Sequence, residues 1–146
     1  MSGIVCPIRG GAASQPTIAK AISVAKESRA TVYFLYVVNL DFLLRTTHTR
    51  TSTIQRELRE MGEFIVLAAQ TKAAAQGVTA ESSVREGDSV REEIVRLCHE
   101  VDADVVVLGR PRQAESDVFT EVDIEDFGRR LAREAGAQVI FSEAAE

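Results

Sequence analysis

The chain has 146 residues, of which 45% are hydrophobic and 27% charged, and its net charge is -5. That length suits one compact domain, 1–146, with a sizeable core. The negative charge argues against general nucleic-acid binding, and 5% aromatics without tryptophan leave few surfaces on which bases can stack.

The chain opens on Met1-Ser2-Gly3-Ile4-Val5, which lacks the basic start and long apolar core of a signal peptide. No apolar run approaches the roughly 20 residues that span a bilayer, so the expected compartment is the cytoplasm. Ile4 to Ile8 is a short apolar run before Gly10-Gly11 and reads as the first strand. Ile18, Ile22 and Ala25 then recur at helical spacing, with Ser14 as N-cap and Pro16 in the first turn. Val32 to Val38 is rich in β-branched and aromatic residues and reads as the second strand.

A long connection, 39–53, follows. Its apolar patch (Leu40, Phe42, Leu43, Leu44) reads as a plug over the sheet or as a lid or docking loop. Its threonine-rich tract, 46–53, reads as loop plus N-cap. Ile54, Leu58, Met61, Ile65 and Ala68 mark one face of a long helix ending near Gly77. Thr79 to Arg85 is mostly polar, which suits an edge strand. Ser89 with Glu92 forms a capping box, and Val90, Ile94, Leu97 and Val101 make the stripe of the next helix.

Val105 to Leu108 is an unbroken apolar run that stops at Gly109, as expected of a strand buried on both faces. Ile124, Phe127, Leu131 and Ala135 mark a last helix, stopped by Gly136, and Gln138 to Phe141 is the fifth strand. Strands separated by helices imply parallel pairing with right-handed crossovers. The expected fold is a three-layer α/β/α sandwich around a five-stranded, mostly parallel sheet, with the polar third strand at one edge.

Two cysteines, Cys6 and Cys98, sit in apolar patterns and read as inert core thiols. No C-x-x-C motif is present, and neither His48 nor His99 stands at a zinc-site spacing from other ligands, so no metal is expected. No P-loop or G-x-G-x-x-G motif is present, and two histidines on unrelated elements give no nucleophile–base set. His99 reads as a surface residue, and no catalytic residue is assigned.

Ligands in open α/β sheets sit beyond the carboxyl ends of the strands. Arg9, Arg110 and Arg112 should meet at that rim. They form either a solvated rim paired to the acidic stretch Glu115 to Asp126 or a site for a small anion. Gly10-Gly11 is either a simple turn or a place where a phosphate meets a helix N-terminus.

Val5 to Gly11, Leu35 to Val38, Glu86-Gly87-Asp88, Glu93-Ile94-Val95 and Ala103 to Gly109 resemble, in order and spacing, the universal stress protein family over nearly the whole chain. The resemblance implies strand order 3-2-1-4-5, frequent homodimers and, in one branch, an ATP site beyond the first and fourth strands. Carried onto this chain, that site comprises Pro7, Ile8, Arg9, Gly10, Val37, Val38, Gly109, Arg110, Arg112, Gly128 and Arg129.

The chain departs from the nucleotide-binding pattern at informative places. Arg9 stands where an aspartate contacts the adenine, and a guanidinium only donates where that contact needs an acceptor. Arg112 stands at the second glycine of the phosphate motif, and Val122-Asp123 at its final glycine and hydroxyl residue. A shifted alignment uses Gly128-Arg129 with a longer loop and still no hydroxyl. No glycine lies between Gly109 and Gly128, whereas six acids do.

Three readings stand in order. The first is a regulatory domain with a degenerate nucleotide site and no cofactor, acting through dimerisation and partner contacts. The second binds ATP or AMP through altered contacts, and the third is a weak ATPase. Val139, Ile140 and Phe141 form an apolar edge strand in this order, which is an aggregation hazard unless paired. A homodimer through that edge is expected.

Overall fold

The computed structural model of the chain describes residues 3–39, 51–109 and 121–142, with side chains beginning at 53 and 125 in the second and third stretches. In order these form β1 (Gly3–Pro7), a short 3-10 turn (Ala12–Ser14), α1 (Gln15–Ser28), β2 (Thr31–Asn39) and α2 (Thr51–Ala75). There follow β3 (Ala80–Gly87), α3 (Val90–Val101), β4 (Val105–Gly109), α4 (Glu121–Ala135) and β5 (Gln138–Ser142). The sheet has five strands in the order 3-2-1-4-5. Every pairing is parallel, with Val5 level with Tyr33 on one side and Val106 on the other.

Two apolar layers cover the sheet. On one face α1 and α2 bring Ile18, Ile22, Val66, Ala69 and Ala73 onto Ile4, Cys6, Phe34 and Val107. On the other, α3 and α4 bring Ile94, Leu97, Phe127 and Leu131 onto Val5, Leu35, Val106 and Leu108. Alternate residues of one strand serve opposite layers, as the two-residue period requires. The expected α/β/α sandwich and strand order are therefore present, with polar β3 at the edge. No helix among the described residues is long and apolar enough to cross a membrane.

Both cysteines are free and buried, one in each layer. Burial pushes the Cys6 thiol up strongly and the Cys98 thiol up to about 11, so neither is a ready nucleophile.

Three local expectations change. Ser14 occupies the N-cap place of α1 but makes no side-chain capping bond, because the preceding 3-10 turn already holds it in helical geometry. Ser89 does cap α3, accepting from the Glu92 N–H, but the Glu92 carboxylate accepts from Arg130 of α4 instead of closing the box. The buried face of α2 differs most. It runs through Gly62, Val66, Ala69 and Ala73, with Ile65 packed beside them, whereas Met61 and Ala68 are exposed. Small residues bring the helix close to the sheet: a Cβ on Gly62 would lie 2.4 Å from the Tyr36 ring. Contact distance, not side-chain size, sets which face is buried.

At the β3 edge, Arg85 donates two bonds to Glu100 at 2.7 and 2.8 Å. The hydrogen bond from Arg85 holds the Glu100 carboxyl below its ordinary value of 4.5. A carboxyl with a lower value folded than unfolded stabilises above the unfolded value, and that contribution is lost as pH falls through the folded one. Glu100→Gln is therefore expected to reduce stability slightly at neutral pH and to flatten its loss below about pH 4.5. Urea midpoints of both proteins across the acid range check this. Parallel curves would show that the pair contributes nothing.

Candidate functional site

β1 and β4 lie side by side at the centre of the sheet, and the chain leaves them toward helices on opposite faces. At such a reversal open α/β sheets form a crevice beyond the carboxyl ends of the two strands. Pro7 ends β1, with Ile8, Arg9 and Gly10 following it, and Gly109 ends β4, so these residues stand at that end of the sheet. Val37 and Val38 lie near the same end of β2, Val38 buried and Val37 half-buried. Ile8 is anchored by its N–H to the Leu35 carbonyl at 2.8 Å and is buried. Arg9 is exposed.

The turn after β1 is closed by its own side chain. The Ser14 hydroxyl accepts from the N–H of Arg9 at 3.2 Å and of Gly10 at 3.1 Å, and donates to the Gly10 carbonyl at 3.2 Å. Ser14 is buried. An anion cradle needs backbone N–H groups converging on empty space. Here two of those groups already converge on a hydroxyl oxygen. Pro16 removes a further N–H from the first turn of α1. Gly10 and Gly11 both have positive φ, 90° and 76°. The close approach at Gly10 is to Ile65 of α2, not to open space.

The carboxyl end of β4 is closed similarly. Thr17 Oγ1 and Ser142 Oγ share a hydrogen bond of 2.8 Å, and both residues are buried. Gly109 lies over them: a Cβ there would come 2.6 Å from Thr17 Oγ1. This pair links α1 to β5 behind the crevice. Sequence reasoning missed it, since the two hydroxyls are 125 residues apart and obey no local pattern.

Gly128 and Arg129 lie on α4. Gly128 is inside α4, buried with Val139 and Phe141 of β5 within 3.7 Å of the place a Cβ would take, so it brings helix and strand together. Arg129 is exposed and pairs with Asp126 one turn back. Arg110, Arg112, the acids at 115–117 and the apolar patch 40–44 lie outside the described residues. At the outer rim Glu86, at the end of β3, accepts from Gln55 at 2.6 Å and Arg59 at 3.0 Å, fastening α2 to the sheet. Among the described residues no three His, Cys, Asp or Glu side chains are placed to hold a metal ion.

Buried Glu93 is a further site of tight packing. A Cβ on Gly87 would lie 2.7 Å from Glu93 Oε2, and the carboxylate pairs with Arg96 and, at 3.9 Å, with Arg85. The Glu86-Gly87-Asp88 and Glu93 blocks thus meet for a packing reason: only glycine lets the α3 carboxylate lie against β3.

The universal stress protein family model matches residues 1–140. A comparison with curated proteins gave no match. Among solved structures the chain is similar to a protein of the universal stress protein family from Burkholderia pseudomallei, at 22% identity over 96% of this chain and 94% of that one, with a TM-score of 0.70. It is similar to the universal stress protein UspA from Lactobacillus plantarum, at 17% identity over 97% of each chain and a TM-score of 0.76. It is also similar to the universal stress protein from Archaeoglobus fulgidus in complex with dAMP, at 16% identity over 97% of this chain and 98% of that one, with a TM-score of 0.62.

Proposed function

The chain belongs to the universal stress protein family, and from that premise we propose that it is a cytoplasmic regulatory domain with a degenerate nucleotide site, acting through dimerisation and partner contacts. The observation that carries this reading is the Ser14 hydroxyl, which takes up the Arg9 and Gly10 N–H groups facing the crevice. Arg9 adds to it, since a guanidinium gives an adenine amine nothing to donate to. The residues present do not fit the family's ATP contacts.

Nucleotide binding through altered contacts is the second reading. It is favoured by the exposed Arg9 at the crevice mouth and by the likeness to a protein that binds dAMP. One measurement separates the two. Protein purified from cells is denatured, and released small molecules are identified by mass spectrometry. The proposal expects none, and a melting temperature indifferent to added ATP, AMP and magnesium. Stoichiometric ATP or AMP overturns it.

Self-association through β5 belongs to the same proposal. Val139, Ile140 and Phe141 are half-buried against both layers, and pairing the strand's outer edge would extend the sheet. A monomer by light scattering at all concentrations would remove this part.

Ser14→Ala tests the closed turn directly. It strands two N–H groups and a carbonyl in a partly buried turn, which is expected to cost about 1–3 kcal/mol in urea unfolding. An unchanged midpoint would mean that water replaces the hydroxyl freely and that the turn is open.

A further inference from the structure

The large apolar side chains that the described structure leaves exposed all lie on α2: Met61 at 51%, Phe64 at 74% and Leu67 at 57%. Exposed neighbours Ala68, Thr71, Ala74 and Ala75 continue the same outer face. A helix apolar on its inner and outer faces has two surfaces to bury, and the sheet takes only one. Residues 61, 64, 68, 71 and 75 alternate spacings of three and four, which is the period of a helix-pairing seam.

The seam is self-complementary in one direction. When two copies run antiparallel about a point between Phe64 and Ala68, Phe64 of one meets Ala68 of the other, and Met61 meets Thr71. Large side chains then fill the spaces left by small ones. Charge selects the same direction. In the first half of this helix surface exposed Glu57, Glu60 and Glu63 outnumber exposed Arg56 and Arg59, whereas the second half carries no acid and has Lys72 alongside. Parallel pairing would set two net-negative halves together, while antiparallel pairing sets each against the half that carries Lys72 and opposes the two helix dipoles.

We propose that the outer face of α2 is a second, isologous self-association surface, on which α2 of another copy docks antiparallel through Phe64, Leu67 and Ala68. One helix face falls short of the roughly 800 Å² per partner of a stable complex, so this contact is weak and forms at high concentration or as the second contact of an assembly. It is separate from β5 pairing and independent of whether the crevice takes a nucleotide.

The test is cysteine cross-linking under a mild oxidant, with Cys6 and Cys98 buried and silent. Leu67 lies beside the two-fold axis, so Leu67→Cys is expected to form a covalent dimer. Ala75 lies about 27 Å from its symmetry mate at 1.5 Å per residue, so Ala75→Cys alone is not. A mixture of Glu57→Cys and Ala75→Cys proteins is expected to give the mixed dimer. Adding Phe64→Glu to Leu67→Cys is expected to abolish the cross-link without moving the melting temperature. Cross-linking of Ala75→Cys, or of Glu27→Cys on exposed α1, as fast as Leu67→Cys would overturn the proposal. So would no cross-link at Leu67→Cys. Loss of dimers after β5 is altered, with the Leu67→Cys cross-link kept, tells the two contacts apart.

Discussion

Phe34→Ala is expected to destabilise the protein by about 3–5 kcal/mol, a large share of the roughly 5–15 kcal/mol that holds a domain of this size folded. Phe34 lies in β2, between β1 and β3, and is fully buried. Its ring faces the layer built by α1 and α2, among Ile4, Cys6, Val66 and Ala73. Truncation loses the transfer energy of the ring and leaves a cavity that two parallel strand neighbours prevent from collapsing. Urea unfolding should show the midpoint falling with the slope unchanged. A loss below about 1 kcal/mol would mean that α2 closes onto the gap and that its seat on the sheet is loose.

That seat is also where the sequence was hardest to read. Strands β2 and β4 announce themselves by long runs of Val, Leu and aromatic residues, and β3 announces its edge position by its polarity. Those signals are local and survive without tertiary context. The apolar period of α2 is ambiguous because the helix carries two apolar faces. Met61, Phe64 and Leu67 are the larger residues and point outward, while Gly62, Ala69 and Ala73 make the closer contact. A reading that weights residues by hydrophobicity picks the wrong stripe.

The candidate site divides in the same way. Its place at the ends of β1 and β4 follows from strand order, which the family resemblance implies and the alternation of strands and helices alone does not fix. The closing of that place does not. The Ser14 hydroxyl reads as a helix cap from sequence, since serine before a helix commonly is one. Only the path of the turn shows that its partners lie behind it at Arg9 and Gly10. The Thr17–Ser142 bond requires α1 and β5 to be neighbours at the back of the crevice, which no pairwise spacing encodes.

Gly10→Val is expected to produce the second large loss, about 2–5 kcal/mol, from two causes that can be separated. Gly10 has φ 90°, where any Cβ is strained at about 1–2 kcal/mol. The added Cβ would also lie 2.6 Å from Ile65 Cδ1 and 3.1 Å from Cγ1, an overpacking expected to cost about 1–3 kcal/mol more. Gly11→Val supplies the control: its φ of 76° carries the backbone strain, but nothing lies within 4 Å of its Cβ. The difference between the two variants in urea unfolding therefore measures the Ile65 contact, and Ile65→Ala should shrink it. Equal losses at Gly10 and Gly11 would mean that Ile65 gives way without cost. In that event α2 does not press on the turn. If the difference appears, α2 holds the crevice loop from one side while Ser14 holds it from within. Opening the turn to a ligand then requires both restraints to yield.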